Sequence, residues 1–200
     1  MFKLWWQRKQ LRKHGYVLVR NFLSPELIEL YKGLIDLSYG SNLRDPERAS
    51  VLIGNIDKIL KNTLDDTVLL YKKDHVEKLF GVPMIPSYIF TREYFKGSEL
   101  LIHKDRDECQ FSVSITLCKR GQGKSVLVFC DDEFGTNPIE IEMQEGDAIV
   151  FNGGSAYNGR YHYRPKIELD SLVQTFLHYV GYENAHNAQS TFPMPNYRTK

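Results

Sequence analysis

The chain has 200 residues, 42% of them hydrophobic and 26% charged, which is enough apolar material for a packed core and excludes a mainly disordered chain. Lys plus Arg number 26 against 25 Asp plus Glu, a formal net charge of +1, so there is no electrostatic basis for wrapping nucleic acid. No stretch approaches the ~18 apolar residues of a membrane span, and the apolar patch Phe2, Leu4, Trp5, Trp6 is too short for a secretory signal.

The length predicts one domain over 1–200, with a helical N-terminal support region (1–86), a β core (87–182) and a C-terminal tail (183–200). Arg8 to His14 is polar and basic, and Gly15 ends it. Tyr16-Val-Leu-Val-Arg20 is a short β-type run. Ser24-Pro25-Glu26 opens a helix: Ser caps, Pro suits the first turn, and an acid suits the dipole. Leu27, Leu30, Tyr31 and Leu34 give that helix its apolar face, and Tyr39 to Pro46 reads as a loop. A second helix runs from about Leu64 to Phe80, stopped by Gly81 and Pro83.

From Ser87 the pattern turns to β. Eight short runs follow: Tyr88–Phe95, Leu100–Asp105, Gln110–Cys118, Ser125–Cys130, Pro138–Met143, Ala148–Phe151, Ala156–Arg164 and Leu172–Val180. The predicted fold class is therefore mainly β with N-terminal helices, a double-sheet jelly roll whose helices pack on one sheet. Cys109, Cys118 and Cys130 are odd in number and form no C-x-x-C. That argues against a zinc site of ordinary spacing and against a disulfide framework, and it predicts a reducing, cytoplasmic setting.

The chemistry sits in Leu101-Ile-His103-Lys-Asp105-Arg106. Residues two apart on a strand share a face, so His103 and Asp105 can reach one ion. His162, in Arg160-Tyr-His-Tyr-Arg164, supplies a third ligand from another strand. Two His and one carboxylate form the facial triad of non-haem Fe(II) oxygenases. The bland alternative for His103 and Asp105 is a hydrogen-bonded surface pair. His178, in the final strand, competes with His162 as third ligand or else is a buried, hydrogen-bonded His.

Four segments carry a resemblance: Gly15–Glu26, Tyr94-Phe-Lys-Gly-Ser-Glu-Leu-Leu-Ile-His103-Lys-Asp105, Glu145-Gly-Asp-Ala-Ile-Val-Phe151, and His162-Tyr-Arg-Pro with Gln174–Val180. The sequence resembles the Fe(II)/2-oxoglutarate-dependent oxygenase superfamily in its prolyl-hydroxylase-like and phytanoyl-hydroxylase-like region, in a microbial and phage-borne branch. The resemblance implies a distorted double-stranded β-helix. It implies Fe(II) on His103, Asp105 and His162, 2-oxoglutarate as cosubstrate, molecular oxygen, and hydroxylation of a small molecule or a protein side chain. Many members hold the far carboxylate of 2-oxoglutarate with a basic residue on the last strand. Here the window Ser171-Leu-Val-Gln174 has none. Arg164, which shares the His162 face by strand alternation, is the expected substitute; Arg92 is second, and Tyr94 is expected to offer its hydroxyl. The departure leaves a second class open, a non-catalytic jelly-roll binding module with a residual metal site. Specificity is expected from Tyr39 to Asn62, the Arg106 turn and the C-terminal tail.

Overall fold

Three helices and twelve strands build the fold in a computed structural model that describes residues 2–59 and 62–188. The first part holds α1 (Phe2–His14), β1 (Tyr16–Val19), α2 (Pro25–Ser38), β2 (Arg44–Pro46), β3 (Leu52–Ile53), β4 (Ile56–Ile59) and α3 (Thr63–Phe80). Then come β5 (Met84–Phe95), β6 (Glu99–His103), β7 (Phe111–Arg120), β8 (Val126–Cys130), β9 (Ile139–Glu142), β10 (Ala148–Asn152), β11 (Tyr161–Arg164) and β12 (Ser171–Gly181).

Local chemistry sets the helix ends. The Ser24 hydroxyl accepts from the Leu27 amide with Pro25 in the first turn of α2. Asn62 and Asp65 form a reciprocal capping box at the start of α3, and Gly81 closes it at φ 78°. Lys, Arg, Gln and Leu are good helix formers, so the basic segment predicted only as polar is in fact the end of α1, with Leu11 and Gln7 buried beneath it.

All strand pairs within the two sheets are antiparallel. The larger sheet runs β1-β10-β7-β12-β5-β4-β2 and the smaller β3-β6-β11-β8-β9. The eight predicted core strands are all present, and β1 to β4 add edges to both sheets. The region read as a loop holds β2, because Arg44–Pro46 pairs with β4. Two predicted strands are shorter than expected. One ends at His103 rather than Asp105, and one starts at Tyr161 rather than Ala156, because Ser155–Tyr157 forms a 3-10 turn and Asn158 takes φ 58°.

Side-chain alternation divides the larger sheet into two faces. Val113, Ile115 and Leu117 of β7 and Val173, Leu177 and Tyr179 of β12 join Ile28, Tyr31, Ile35, Val68, Leu69 and Val76 of α2 and α3 in one buried cluster. The opposite face meets the smaller sheet. Apolar groups fill both ends of that interface, around Tyr94, Leu100 and Leu172 at one and Phe129, Ile149 and Phe151 at the other. Between β2 and β3 the chain crosses from the edge of one sheet to the edge of the other, over the mouth of the space left between them. Residues 189–200 of the predicted tail lie outside the described residues.

Candidate metal centre and pocket

His103 and His162 are direct cross-strand partners on β6 and β11, their ring centroids 4.4 Å apart. Each Nδ1 lies on a backbone carbonyl, Leu101 at 2.8 Å and Arg160 at 3.0 Å. A carbonyl only accepts, so each Nδ1 carries a proton, and in the neutral ring Nε2 is the nitrogen with the lone pair. Those Nε2 atoms lie 3.5 and 3.6 Å from Asp105 Oδ1. This falls between the about 3.0 Å of adjacent and about 4.2 Å of opposite ligands around an ion with bonds of about 2.1 Å. The three residues thus form one cluster with every ligating atom within 4.8 Å of the others.

Asp105 reaches its place differently from the strand alternation expected. It lies past the end of β6 and is fixed by a bridge to Gly154, with its amide donating to the Gly153 carbonyl at 3.1 Å. A Cβ on Gly153 would meet Asp105 Oδ2 at 2.6 Å and the Cys109 carbonyl at 2.4 Å, so glycine is required for this close approach. Ser112 donates its hydroxyl to Asp105 Oδ2 at 2.9 Å. Its oxygen then accepts from Nδ1 of His178 at 3.0 Å, which leaves Nε2 of His178 as the lone-pair nitrogen, buried and without a partner among the described residues.

Burial lowers His162 to about 4 and His178 to about 4, so both rings are neutral at pH 7. Burial works against the Asp105 anion, but His162, His103 and His178 hold its carboxyl well below the usual carboxylate range. A neutral His162 beside an ionised Asp105 is the form a divalent cation needs.

A pocket of about 770 Å³ is lined by this cluster and by two of the predicted cosubstrate residues, Arg164 and Arg92. Arg164 is buried there at 1% exposure. Its two Nη atoms donate to the Val126 carbonyl at 2.6 Å and to Gln174 Oε1 at 2.5 Å, while its Nε has no partner among the described residues. Burial lowers it only to about 10, so it stays charged at pH 7. Ser114 Oγ, buried and also without a partner among the described residues, lines the same space. Arg92, the second candidate, is already bound. Its Nε and Nη2 donate to the two oxygens of Glu47 at 2.6 and 2.8 Å, and its Nη1 to the Tyr94 hydroxyl at 2.9 Å. Tyr94 is fully buried and lies 5.5 Å from the Arg164 guanidinium. The structure therefore puts Arg164 and Arg92 on the wall of the pocket that the His103 cluster also lines, while Tyr94, in contact with both arginines, is not part of that lining. His178 is not in that cluster; it lies in another, with Asp105 and Cys109.

Sequence reasoning missed Ser112, Ser114, Gly153 and Glu47. A signal was present for the serines: Ser112, Ser114 and Thr116 alternate with Val113, Ile115 and Leu117.

No family model matches the chain. It is similar to DNA polymerase III subunit alpha of Campylobacter jejuni, 28% identical over 118 residues, a stretch that is 56% of this chain and only 9% of that protein. Among solved structures, it is similar to the non-heme alpha ketoglutarate dependent epimerase SnoN from nogalamycin biosynthesis, with a TM-score of 0.72, 13% identity, and coverage of 90% of this chain and 84% of that one. An oxidoreductase of the 2OG-Fe(II) oxygenase family from Burkholderia pseudomallei matches with a TM-score of 0.67, 16% identity and 88% and 89% coverage. A Pseudomonas putida prolyl-4-hydroxylase matches with a TM-score of 0.64, 16% identity and 89% and 100% coverage. SnoN has also been solved with Fe3+, alpha ketoglutarate and nogalamycin RO. At these identities the likeness is one of architecture. The fold is the jelly roll of the Fe(II)/2-oxoglutarate-dependent oxygenases, and the resemblance read from the sequence holds at that level.

Among the described residues no helix is long and apolar enough to cross a membrane. Cys109, Cys118 and Cys130 are all free and buried.

Proposed function

We propose that the chain is an Fe(II)- and 2-oxoglutarate-dependent oxygenase that hydroxylates a small molecule or a protein side chain. The observation that carries this reading is the convergence of two histidine Nε2 lone pairs on Asp105 Oδ1, each ring pinned through Nδ1, inside a pocket of the matching fold. His103, Asp105 and His162 are the proposed metal ligands, on a donor set suited to iron. When bound, Fe(II) with 2-oxoglutarate and oxygen supplies the oxidation of a C–H bond, coupled to decarboxylation of the cosubstrate to succinate.

The chain's own residues bind and orient. Arg164 is the proposed anchor of the far carboxylate of 2-oxoglutarate. Its Nε, without a partner among the described residues, and the second N–H of an adjacent Nη present a fork, and the Ser114 hydroxyl lines the same pocket. Val126 and Gln174 hold that guanidinium in place. Arg92, neutralised by Glu47, is left to shape the wall. Ser112 orients Asp105, and the β2–β3 crossing helps keep water from the cavity. The domain is proposed to act as one unit in the cytoplasm, with 1–86 supporting the β core.

Adding 2-oxoglutarate to the anaerobic Fe(II)-loaded protein should raise a weak visible charge-transfer band. Iron binding with no band at any cosubstrate concentration would count against this reading. It would favour the binding module, whose support is Gln174 standing where a basic residue is usual.

A further inference from the structure

Asp105 Oδ1 faces His103 and His162, but the other side of the same carboxylate looks toward a separate group. One ligating atom each from Asp105, Cys109 and His178 lies within 4.8 Å of the others, and Cys109 and His178 are buried at 3% and 4% exposure. This group repeats the preparation seen at the first. Ser112 engages Nδ1 of His178, so Nε2 presents a lone pair with no partner among the described residues. Cys109 has its own support. Arg106 Nη2 donates to the Tyr88 hydroxyl at 3.0 Å, and Tyr88 Oη lies 2.9 Å from Cys109 Sγ. A guanidinium only donates, so the phenol oxygen is its acceptor and the phenol proton is free to point at sulfur. A chain of donors that starts on a cation and ends at a sulfur stabilises a metal-bound thiolate without touching the ion.

We propose a second metal site, formed by Cys109, His178 and Asp105, that takes a thiophilic divalent ion of the Zn(II) class. Thiolate and imidazole favour such an ion, whereas the two-imidazole, one-carboxylate cluster lacks sulfur and suits iron. The ion displaces the Cys109 proton to the surrounding water on binding. The site rests on the proposed iron-binding reading only through the shared Asp105. It makes Asp105 a carboxylate with two claimants, one at each side, so a thiophilic ion in the pocket shares the ligand that iron needs.

Co(II) distinguishes the two positions, because only a thiolate ligand gives it an intense near-ultraviolet charge-transfer band. Anaerobic titration of Co(II) into the full chain should show two equivalents, one of them carrying the band. Cys109→Ser and His178→Ala should each lose the banded equivalent and keep the other, which also reports that the variant is folded. His103→Ala should do the reverse. Tyr88→Phe, which removes the proton directed at sulfur, should weaken the banded equivalent about 10-fold. A single band-free equivalent, lost in His103→Ala, overturns the second site and leaves the oxygenase reading standing. A band that survives Cys109→Ser also overturns it, since the sulfur would then be Cys118 or Cys130. If no Co(II) binds at either position, both readings fall together.

Discussion

On β12 the odd-numbered side chains from Val173 to Tyr179 meet the helix side, Phe176 and His178 meet the pocket, and the polar groups of these two stretches are used differently. On the helix side, the Tyr179 hydroxyl donates to the Leu69 carbonyl at 2.8 Å and Thr175 Oγ1 to the Phe90 carbonyl at 3.2 Å. On the pocket side, Nε2 of His178 and, on the neighbouring strand, Oγ of Ser114 are buried with no partner among the described residues. Leaving a buried polar group unpaired costs about 1–3 kcal/mol. Tyr179 and Thr175 use their hydroxyls to hold the fold, and on the pocket side, where Gln174 is bound to Arg164 and Thr116, His178 and Ser114 are left for a ligand to satisfy. Changes on the pocket side should therefore alter binding, and changes on the helix side should alter stability.

The largest effect should come from the cluster itself. His162→Ala should abolish stoichiometric Fe(II) binding with the fold retained, because a two-ligand remnant holds iron weakly. Anaerobic calorimetry with Fe(II), read beside circular dichroism, measures both. Iron affinity like that of the parent would remove His162 from the ligand set.

Next is Arg164 on the pocket wall. Arg164→Ala should weaken 2-oxoglutarate binding to the iron-loaded protein by about 2–4 kcal/mol, or roughly 30- to 1,000-fold. Arg164→Lys should recover part of this, keeping the charge and losing the fork. Arg92→Ala should have a much smaller effect, because Glu47 already occupies its guanidinium. The opposite ranking in the two titrations would move the anchor to β5.

A smaller loss is expected from the hydroxyl that holds Asp105. Ser112→Ala removes the only hydroxyl that donates to Asp105 Oδ2 among the described residues, and should weaken Fe(II) binding about 10- to 100-fold. Unchanged affinity would show that the Gly153 and Gly154 contacts suffice to orient the carboxylate.

Much of this was legible in the sequence because it rests on local rules. Capping residues set α2 and α3, period-two alternation set the eight core strands, and His-x-Asp with a distal His set the cluster. Two kinds of feature were not legible. Asp105 shares a face with His103 through its bridge to Gly154 rather than through strand alternation, and that contact joins residues far apart in the chain. The Ser112, Ser114 and Thr116 row reads, by the usual rule, as a solvent face. In the fold it points inward, because helices cover the apolar face of β7. Alternation shows that a strand has two unlike faces, but only the packing shows which one water reaches. In the same way Arg92 looked like a free cation until the β2–β3 crossing brought Glu47 over it.

The smallest predicted effect tests the other face. Tyr179 is fully buried, and its hydroxyl donates to the carbonyl of Leu69 in α3. That carbonyl lies mid-helix, so it also accepts the backbone amide four residues on. Tyr179→Phe therefore removes a donor without leaving an unsatisfied acceptor, and it keeps the ring that packs between β12 and the helix. The expected cost is that of one net hydrogen bond, about 0.5–1.5 kcal/mol, read as a fall in the urea midpoint with unchanged slope. Fe(II) and 2-oxoglutarate affinities should match the parent, because Tyr179 points away from the pocket. A variant that keeps full stability but binds 2-oxoglutarate less tightly would break the division between the two faces, and would mean that the helix layer feeds directly into the shape of the site.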